Sequence, residues 1–199
     1  MKSSWNARYA QQEYIYGLEP NVFFRQTLTA LKPGKMLLPG EGEGRNASWA
    51  ARLGWDVDAI DYSEAGREKA LSLAKSLNVS FNYSISELSE TGFAPDTYDF
   101  IALIFVHFPE HQREIVHRNL IKSLKPGGTI LIEAFHKSQL QYNSGGPKNA
   151  ALLYDANLLR NDFKELDIKE LVESTSHLNE GEWHKGPAAL VRMIATQKL

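Results

Sequence analysis

The 199-residue chain contains no cysteine, which excludes disulfide bonds and thiolate metal sites. Basic residues are not in excess: 22 Lys and Arg against 24 Asp and Glu give a net charge of −2, which does not support broad nucleic-acid binding. No apolar run reaches the roughly 18 residues that a membrane span needs, and the N-terminus lacks the apolar core of a secretion signal. No pair of histidines has the sequence spacing of zinc ligands together with a third candidate ligand. We therefore expect a cytoplasmic protein with no metal site and neither a membrane nor a nucleic acid as partner.

Short apolar segments alternate with segments of helical periodicity along the chain. At 43% hydrophobic residues, the chain is large enough for one substantial core, and we expect one domain spanning residues 1–199. The predicted strands are residues 36–38, 55–60, 79–83, 98–106, 129–133, 163–171 and 188–196. The predicted helices are residues 21–32, capped by Asn21, 63–77, capped by Ser63, 109–124 and 155–162. Strands that alternate with helices in this way predict a doubly wound α/β sheet.

The most informative segment follows the first predicted strand. It contains three alternating glycines, Gly40, Gly42 and Gly44, and a helix-like segment comes after them. Seventeen residues after Gly44, the second predicted strand ends at Asp61. Glycines allow a tight turn and a close approach of the backbone to a ligand, and the carboxylate can accept both hydroxyls of a ribose. This layout predicts a nucleoside-binding βαβ unit, the alternative being an ordinary turn with solvent-facing glutamates.

The glycine spacing narrows the choice of nucleoside. A dinucleotide fold has its third glycine three residues after the second, whereas here the distance is two. Glu41 and Glu43 lie inside the loop, where two carboxylates would repel a pyrophosphate. They suit a ligand without phosphates that carries positive charge, as S-adenosylmethionine does.

Several motifs together resemble the class I S-adenosylmethionine-dependent methyltransferases, and in particular the tellurite-resistance and thiopurine methyltransferase group. These motifs are residues 5–9 with Tyr14, the loop 40–46, residues 61–63, 98–100 and 124–128, and the final strand. The resemblance implies a seven-stranded, mostly parallel sheet of order 3-2-1-4-5-7-6 with the last strand antiparallel. It also implies S-adenosylmethionine as the cofactor.

The resemblance also implies which residues bind the cofactor. Arg8 and Tyr14 would contact its methionine part, and Asp61 the ribose. Ser86, Glu87 and the backbone of Leu88 would lie near the adenine. The remaining positions implied for the cofactor site are Gly40, Glu41, Gly42, Gly44, Asn46, Tyr62 and Ile104. The chain departs from the family in having Leu38-Pro39 where an acid and an apolar residue often precede the first glycine, so that Glu41 would replace the missing acid. Arg45 and Asn46 could alternatively cap the helix after the loop.

Two polar residues follow buried strands and are candidates for catalysis. His107 comes after the fourth predicted strand and Glu133 after the fifth, at the carboxyl ends where α/β sheets bind their ligands. Either could act as a base toward a hydroxyl or amine acceptor, whereas a thiol or another soft nucleophile would need none. His111 and His117 are expected to be solvated on a helix.

The segments outside the sheet would build the acceptor site. Residues 1–20 are expected to form a lid, and the loops 134–150 and 172–187 would complete a small pocket with aromatic walls. We therefore expect methyl transfer to a small molecule such as a thiol or a metalloid oxyanion, by a monomer or homodimer. The alternatives are a non-catalytic S-adenosylmethionine or nucleoside sensor and a nicotinamide-dependent oxidoreductase.

Overall fold

The computed structural model describes residues 2–199, with side chains from Trp5 onward. The helices are α1 (Lys2–Tyr9), α2 (Val22–Leu28), α3 (Arg45–Arg52), α4 (Glu64–Ser76), α5 (Glu110–Ser123) and α6 (Ala156–Asp162). The strands are β1 (Lys35–Pro39), β2 (Asp56–Asp61), β3 (Asn82–Ile85), β4 (Tyr98–Ile104), β5 (Leu124–Phe135), β6 (Asp167–Asn179) and β7 (Lys185–Thr196). Two short 3-10 helices, Lys137–Gln141 and Ala150–Leu152, follow β5.

The strands form one sheet of order β3-β2-β1-β4-β5-β7-β6. Neighbouring strands from β3 to β5 run parallel, as in the register Leu37 to Ile101 between β1 and β4. β7 runs antiparallel to both β5 and β6. The predicted fold class, strand order and antiparallel last strand are therefore confirmed.

Both faces of the sheet are covered, which explains the continuous apolar run of β4. Ile101 packs into a core with α5 and α6, whereas its neighbour Phe100 packs on the other face against α2, α3 and α4. Both side chains are fully buried. A strand buried on both faces has no reason to alternate with polar residues. The sheet is thus a rigid platform whose strand ends position the loops described below.

Local signals predicted the helix starts correctly. The Asn21 side chain accepts a hydrogen bond from the Phe24 N–H at the start of α2. Ser63 does the same for Gly66 at the start of α4. Side-chain caps of this kind depend on residues only a few positions apart, so the sequence alone reveals them.

The prediction for the last hairpin was wrong. The predicted strand 163–171 is in fact Asp167–Asn179, and the predicted loop 172–187 is mostly strand, with a turn only between Asn179 and Lys185. β6 is an edge strand whose side chains are mostly exposed, so its sequence lacks an apolar pattern. Its twelve paired positions with β7 hold it in place instead. β3 also lies later than predicted, at Asn82–Ile85.

Across the described residues, no helix combines the length and the apolar character that a membrane crossing requires.

Candidate cofactor and acceptor site

Asp61 lies at the carboxyl end of β2, directly below the glycine loop. One carboxylate oxygen accepts the Gly42 N–H at 3.1 Å, and the other accepts the Ser63 N–H at 2.9 Å. Burial raises the pKa of Asp61 to about 6, although these backbone hydrogen bonds oppose the rise. Because a carboxylate can accept about four hydrogen bonds, capacity remains for two further donors. Asp61 is therefore held rigidly while it keeps the acceptor sites that a ribose needs.

The three loop glycines have positive φ angles, and each lies against a different neighbour. A Cβ at Gly40 would lie 2.6 Å from Val106, just after β4, and one at Gly44 would lie 2.5 Å from Ala70 of α4. A Cβ at Gly42 would lie 2.6 Å from the Tyr9 hydroxyl oxygen. The glycines therefore permit a tight loop that packs between the strand ends, α4 and α1.

Both loop glutamates have partners within the protein. Glu41 accepts the Ala47 N–H at 2.8 Å and so caps α3, while burial raises its pKa to about 7. Glu43 accepts the Ile15 N–H at 2.9 Å and forms an ion pair with Lys69 at 2.6 Å. The sequence argument that these carboxylates face a cationic ligand is therefore not supported, because their oxygens contact a helix end and the N-terminal segment.

The residues expected near an adenine line the carboxyl ends of β2 and β3. The Tyr62 ring is half-buried beside Asp61, and Leu88 is buried in the adjoining core. The Ser86 N–H donates to the Asp61 carbonyl at 3.1 Å, which fixes the turn after β3. Glu87 is close enough to raise the pKa of Asp61 by repulsion. These predicted positions are thus brought together around one carboxylate.

The N-terminal segment covers this region, and Arg8 is its most unusual residue. The Arg8 guanidinium carbon lies 4.4 Å from the centroid of the Trp5 ring and 4.6 Å from that of Trp183. Arg8 forms no salt bridge with any carboxylate from Trp5 to Leu199. A cation held between two indole rings without an anionic partner can bind a carboxylate. Tyr14 lies farther along, where its hydroxyl donates to the Lys69 carbonyl at 3.0 Å.

Tyr9 was expected among the aromatic walls of an acceptor pocket, and the structure places it against the glycine loop instead. Its ring is buried between Gly42 of the loop and Gly66 of α4. Burial raises its pKa, and the nearby Asp61 carboxylate raises it further. A signal for this role existed in the sequence, since Trp5 and Tyr9 are four positions apart on one helix face and their rings lie 5.3 Å apart. The Tyr9 ring therefore covers the glycine loop at Gly42.

The two predicted catalytic residues are engaged by other parts of the protein. The His107 Nδ1 pairs with the Leu152 carbonyl at 2.7 Å, and its Nε2 accepts the Phe135 N–H at 3.3 Å. Burial lowers the pKa of His107 to about 4, so the ring is neutral at pH 7. Glu133 is fully buried and forms an ion pair with Arg192. In this arrangement neither residue offers a free acceptor to a substrate.

A buried polar network joins Glu133 to the N-terminal segment and the last hairpin. The Asn21 amide nitrogen donates to Glu133 at 2.6 Å and to Glu180 at 3.0 Å. Glu180 in turn pairs with Arg45 at 2.6 Å, and Arg45 also donates to the Tyr16 and Glu19 carbonyls.

The residues that follow the third glycine belong to the same network. The Asn46 side chain accepts the Asn21 N–H at 2.9 Å. Arg45 and Asn46 thus anchor the N-terminal segment, a role that was not expected from the sequence. At the end of β4, Ile104 is partly buried and packs against the core on the α2–α4 face.

His117 corrects another expectation. It is buried on α5 rather than solvated, and its Nδ1 pairs with Asp162 at 2.8 Å. Arg113 binds the same carboxylate at 2.8 Å. This group joins α5 to α6 on the face of the sheet that these two helices cover, and it is not part of the site around Asp61.

The site fits S-adenosylmethionine in three respects. Asp61 keeps two acceptor sites for ribose hydroxyls, Tyr62 and Leu88 offer flat and apolar surfaces, and Arg8 provides a cation for the methionine carboxylate. These groups come from the carboxyl ends of β2 and β3 and from α1, close to the topological switch point of the sheet.

Comparison with known proteins supports this assignment. Residues 37–128 match the family model of a methyltransferase domain. A curated relative, a ubiquinone biosynthesis O-methyltransferase of Rickettsia akari, is 33% identical over 108 residues, which cover 53% of this chain. The chain spans about two fifths of that relative's length (42%).

Solved structures share the fold over the whole chain. One is a structure from work on the conversion of a disulfide bond into a thioacetal group during echinomycin biosynthesis, with a TM-score of 0.82 and 17% sequence identity. The match covers 100% of this chain and 92% of that chain. TehB from Haemophilus influenzae has a TM-score of 0.75 and 18% sequence identity, and the match covers 99% of this chain and 67% of the TehB chain. The matched domain spans just under half of the chain, and together with the strand order and the glycine loop above Asp61 it makes this chain similar to methyltransferases.

Proposed function

We propose that this protein transfers a methyl group from S-adenosylmethionine to a small-molecule acceptor. The arrangement around Asp61 carries the proposal, because it combines a rigid ribose acceptor with the nearby Arg8, a guanidinium that forms no ion pair with a described carboxylate. The cofactor supplies a methyl group on a sulfonium, which is transferred by in-line displacement. The protein's contribution is to align donor and acceptor and to exclude water, which accounts for much of the rate in such reactions.

A cluster of aromatic side chains supports a small acceptor. Tyr16, Phe105, Phe135 and His184 are in ring contact above the carboxyl ends of β4 and β5, and we call these four residues the aromatic wall. Pockets for small ligands are predominantly apolar and aromatic with few polar groups. The name of the Rickettsia relative favours a hydroxyl acceptor, and the sulfur chemistry of the echinomycin enzyme favours a thiol. The methylation assay should therefore include both hydroxyl and thiol acceptors.

We propose structural roles for His107 and Glu133 instead of proton transfer. Their hydrogen bonds join β4 to the 3-10 helix Ala150–Leu152 and β5 to the N-terminal segment. Replacing either residue should therefore destabilise the acceptor side of the site and leave the cofactor side intact. We also propose that residues 1–20 act as the lid, since the contacts of Tyr9 and Arg8 enclose the glycine loop.

Calorimetry and a methylation assay test the function. We expect micromolar binding of S-adenosylhomocysteine and none of NAD, because the third glycine lies two residues after the second and not three, as packing beneath a pyrophosphate requires. Radiolabelled methyl transfer should then be measured over thiols, phenols, amines and tellurite. Binding without any product would favour the sensor instead, and NAD binding would favour the oxidoreductase.

A further inference from the structure

His184 occupies the centre of the aromatic wall. It directly precedes β7, and its ring centroid lies 4.4 Å from those of Tyr16 and Phe105 and 5.2 Å from that of Phe135. Only 5% of the residue is exposed. Gly145 packs against it from the loop after β5, because a Cβ there would lie 2.6 Å from His184 Cδ2. The imidazole is therefore held in one place by elements from both ends of the chain.

The Nδ1 atom of His184 is buried and has no hydrogen-bond partner within the described part of the chain. Buried polar atoms are nearly always paired, so each exception requires an explanation. The contrast with His107 is informative, since both ring nitrogens of that residue are bonded to backbone groups. Glu133, the other titratable group nearby, is bound by Arg192 and Asn21.

The surroundings of His184 place it where an acceptor should bind. Phe105 directly follows β4 with a φ of +56°, which is a rare conformation for an aromatic residue, and its N–H donates to the Glu133 carbonyl at 2.8 Å. Strained backbone of this kind concentrates at functional sites. Phe135 ends β5, so the aromatic wall stands at the carboxyl ends of two adjacent parallel strands.

We propose that Nδ1 of His184 accepts the hydroxyl proton of an aromatic alcohol that is methylated beside the aromatic wall, a proposal that rests on the proposed function. The flat rings of Tyr16 and Phe105 suit an aromatic body, and the single unpaired nitrogen suits a single hydroxyl group. In the step, the acceptor's O–H bond breaks and its proton passes to Nδ1. The oxygen keeps that electron pair and forms the bond to the methyl carbon, while the pair of the broken carbon–sulfur bond stays on the donor's sulfur.

The charge state of the ring agrees with this role. Burial lowers the pKa of His184 to about 3, with nearby Arg45 lowering it further. The imidazole is therefore neutral at pH 7 and can present a lone pair. Because the same burial disfavours an imidazolium, Nδ1 accepts a hydrogen bond from the hydroxyl and takes its proton only as the methyl group is transferred.

Two substitutions separate this role from packing. His184→Phe keeps a ring without nitrogen, and His184→Asn keeps an acceptor at the position of Nδ1. With catechol as the probe acceptor, we expect kcat to fall about 100-fold in His184→Phe with KM changed less than about threefold, and His184→Asn to regain part of the loss. Thiophenol, which ionises readily, should be methylated at an unchanged rate. His177→Phe, an exposed histidine of the same hairpin, is the matched control. Equal loss toward both acceptors would overturn the proposal.

Nitrogen-15 spectra of the imidazoles give a readout that needs no turnover. In the complex with S-adenosylhomocysteine, catechol should shift the His184 Nδ1 resonance toward the value of a hydrogen-bonded acceptor, and anisole, which lacks the hydroxyl, should not. A proton found on Nδ1, the same shift with anisole, or no binding of catechol would overturn the role of His184. Absence of S-adenosylhomocysteine binding in the unmodified protein would refute the proposed function itself.

Discussion

Glu180→Leu should be the most costly single substitution in the buried network. The side chains of Glu180 and Arg45 are both 7% exposed and meet at 2.6 Å. Removing one partner of a buried pair leaves the other charge uncompensated, which typically costs about 3–5 kcal/mol. Arg45 would keep the Tyr16 and Glu19 carbonyls at 3.1 and 3.4 Å. We therefore expect a loss near the lower limit, about 3 kcal/mol of unfolding free energy.

Urea denaturation at pH 7 measures this loss, and a double-mutant cycle separates the pair from its surroundings. The double variant Arg45→Met/Glu180→Leu removes both charges and should recover about half or more of the cost, because no buried charge remains. Glu182→Leu is the control, since Glu182 lies in the same turn but is exposed. It should change the stability by less than about 0.5 kcal/mol.

The reasoning would be refuted by a cost below about 1 kcal/mol for Glu180→Leu, or by single effects that add in the double variant. Additive effects would show that the contact between Arg45 and Glu180 is not a coupled pair in solution. The same variants should also bind S-adenosylhomocysteine more weakly, because Arg45 fixes the backbone between α1 and α2.

Three further predictions concern the site. Asp61→Asn should weaken S-adenosylhomocysteine binding about 10–100-fold by calorimetry, from the loss of charge-assisted ribose contacts. Because the pKa of Asp61 is raised to about 6 and the ribose favours its ionised form, affinity in the unmodified protein should fall as pH drops below about 6, and Asp61→Asn should abolish this dependence. Gly145→Ala should lower the thermal midpoint and acceptor turnover but preserve cofactor binding, since the φ of Gly145 is +111° and a Cβ there would lie 2.5 Å from the Trp183 carbonyl oxygen. Unchanged turnover would contradict the inference that Gly145 holds His184 in place. Deleting residues 1–16 should abolish activity while the sheet still unfolds cooperatively; a broad unfolding transition would show that this segment is part of the core instead.

The fold was predictable because its determinants are local. The apolar run of β4, the caps at Asn21 and Ser63, and the glycine loop before Asp61 each depend on residues within a few positions. The spacing between the loop and the acid reflects one strand–helix–strand unit, so the sequence indicated the candidate cofactor site as well. β6 was the exception, because an exposed edge strand held by pairing with β7 has no pattern of its own.

The roles of the polar side chains were not predictable in the same way, because each depends on a distant partner. Asn21 binds Glu133 across 112 positions, and Arg45 binds Glu180 across 135. Glu43 was interpreted as a ligand-facing charge because its partner Lys69 belongs to a separate helix.

These long-range contacts have a functional consequence. The segment 14–21 is held by Glu43, Arg45 and Asn46 of the glycine-loop region, and the last hairpin is held by Arg45 through Glu180. The aromatic wall takes residues from both segments, Tyr16 from the first and His184 from the second. The residues after the third glycine therefore anchor both segments of the aromatic wall as well as forming the start of α3. A change that loosens Arg45 should consequently impair acceptor turnover more than cofactor binding, because Asp61 keeps its own backbone partners when the network is lost.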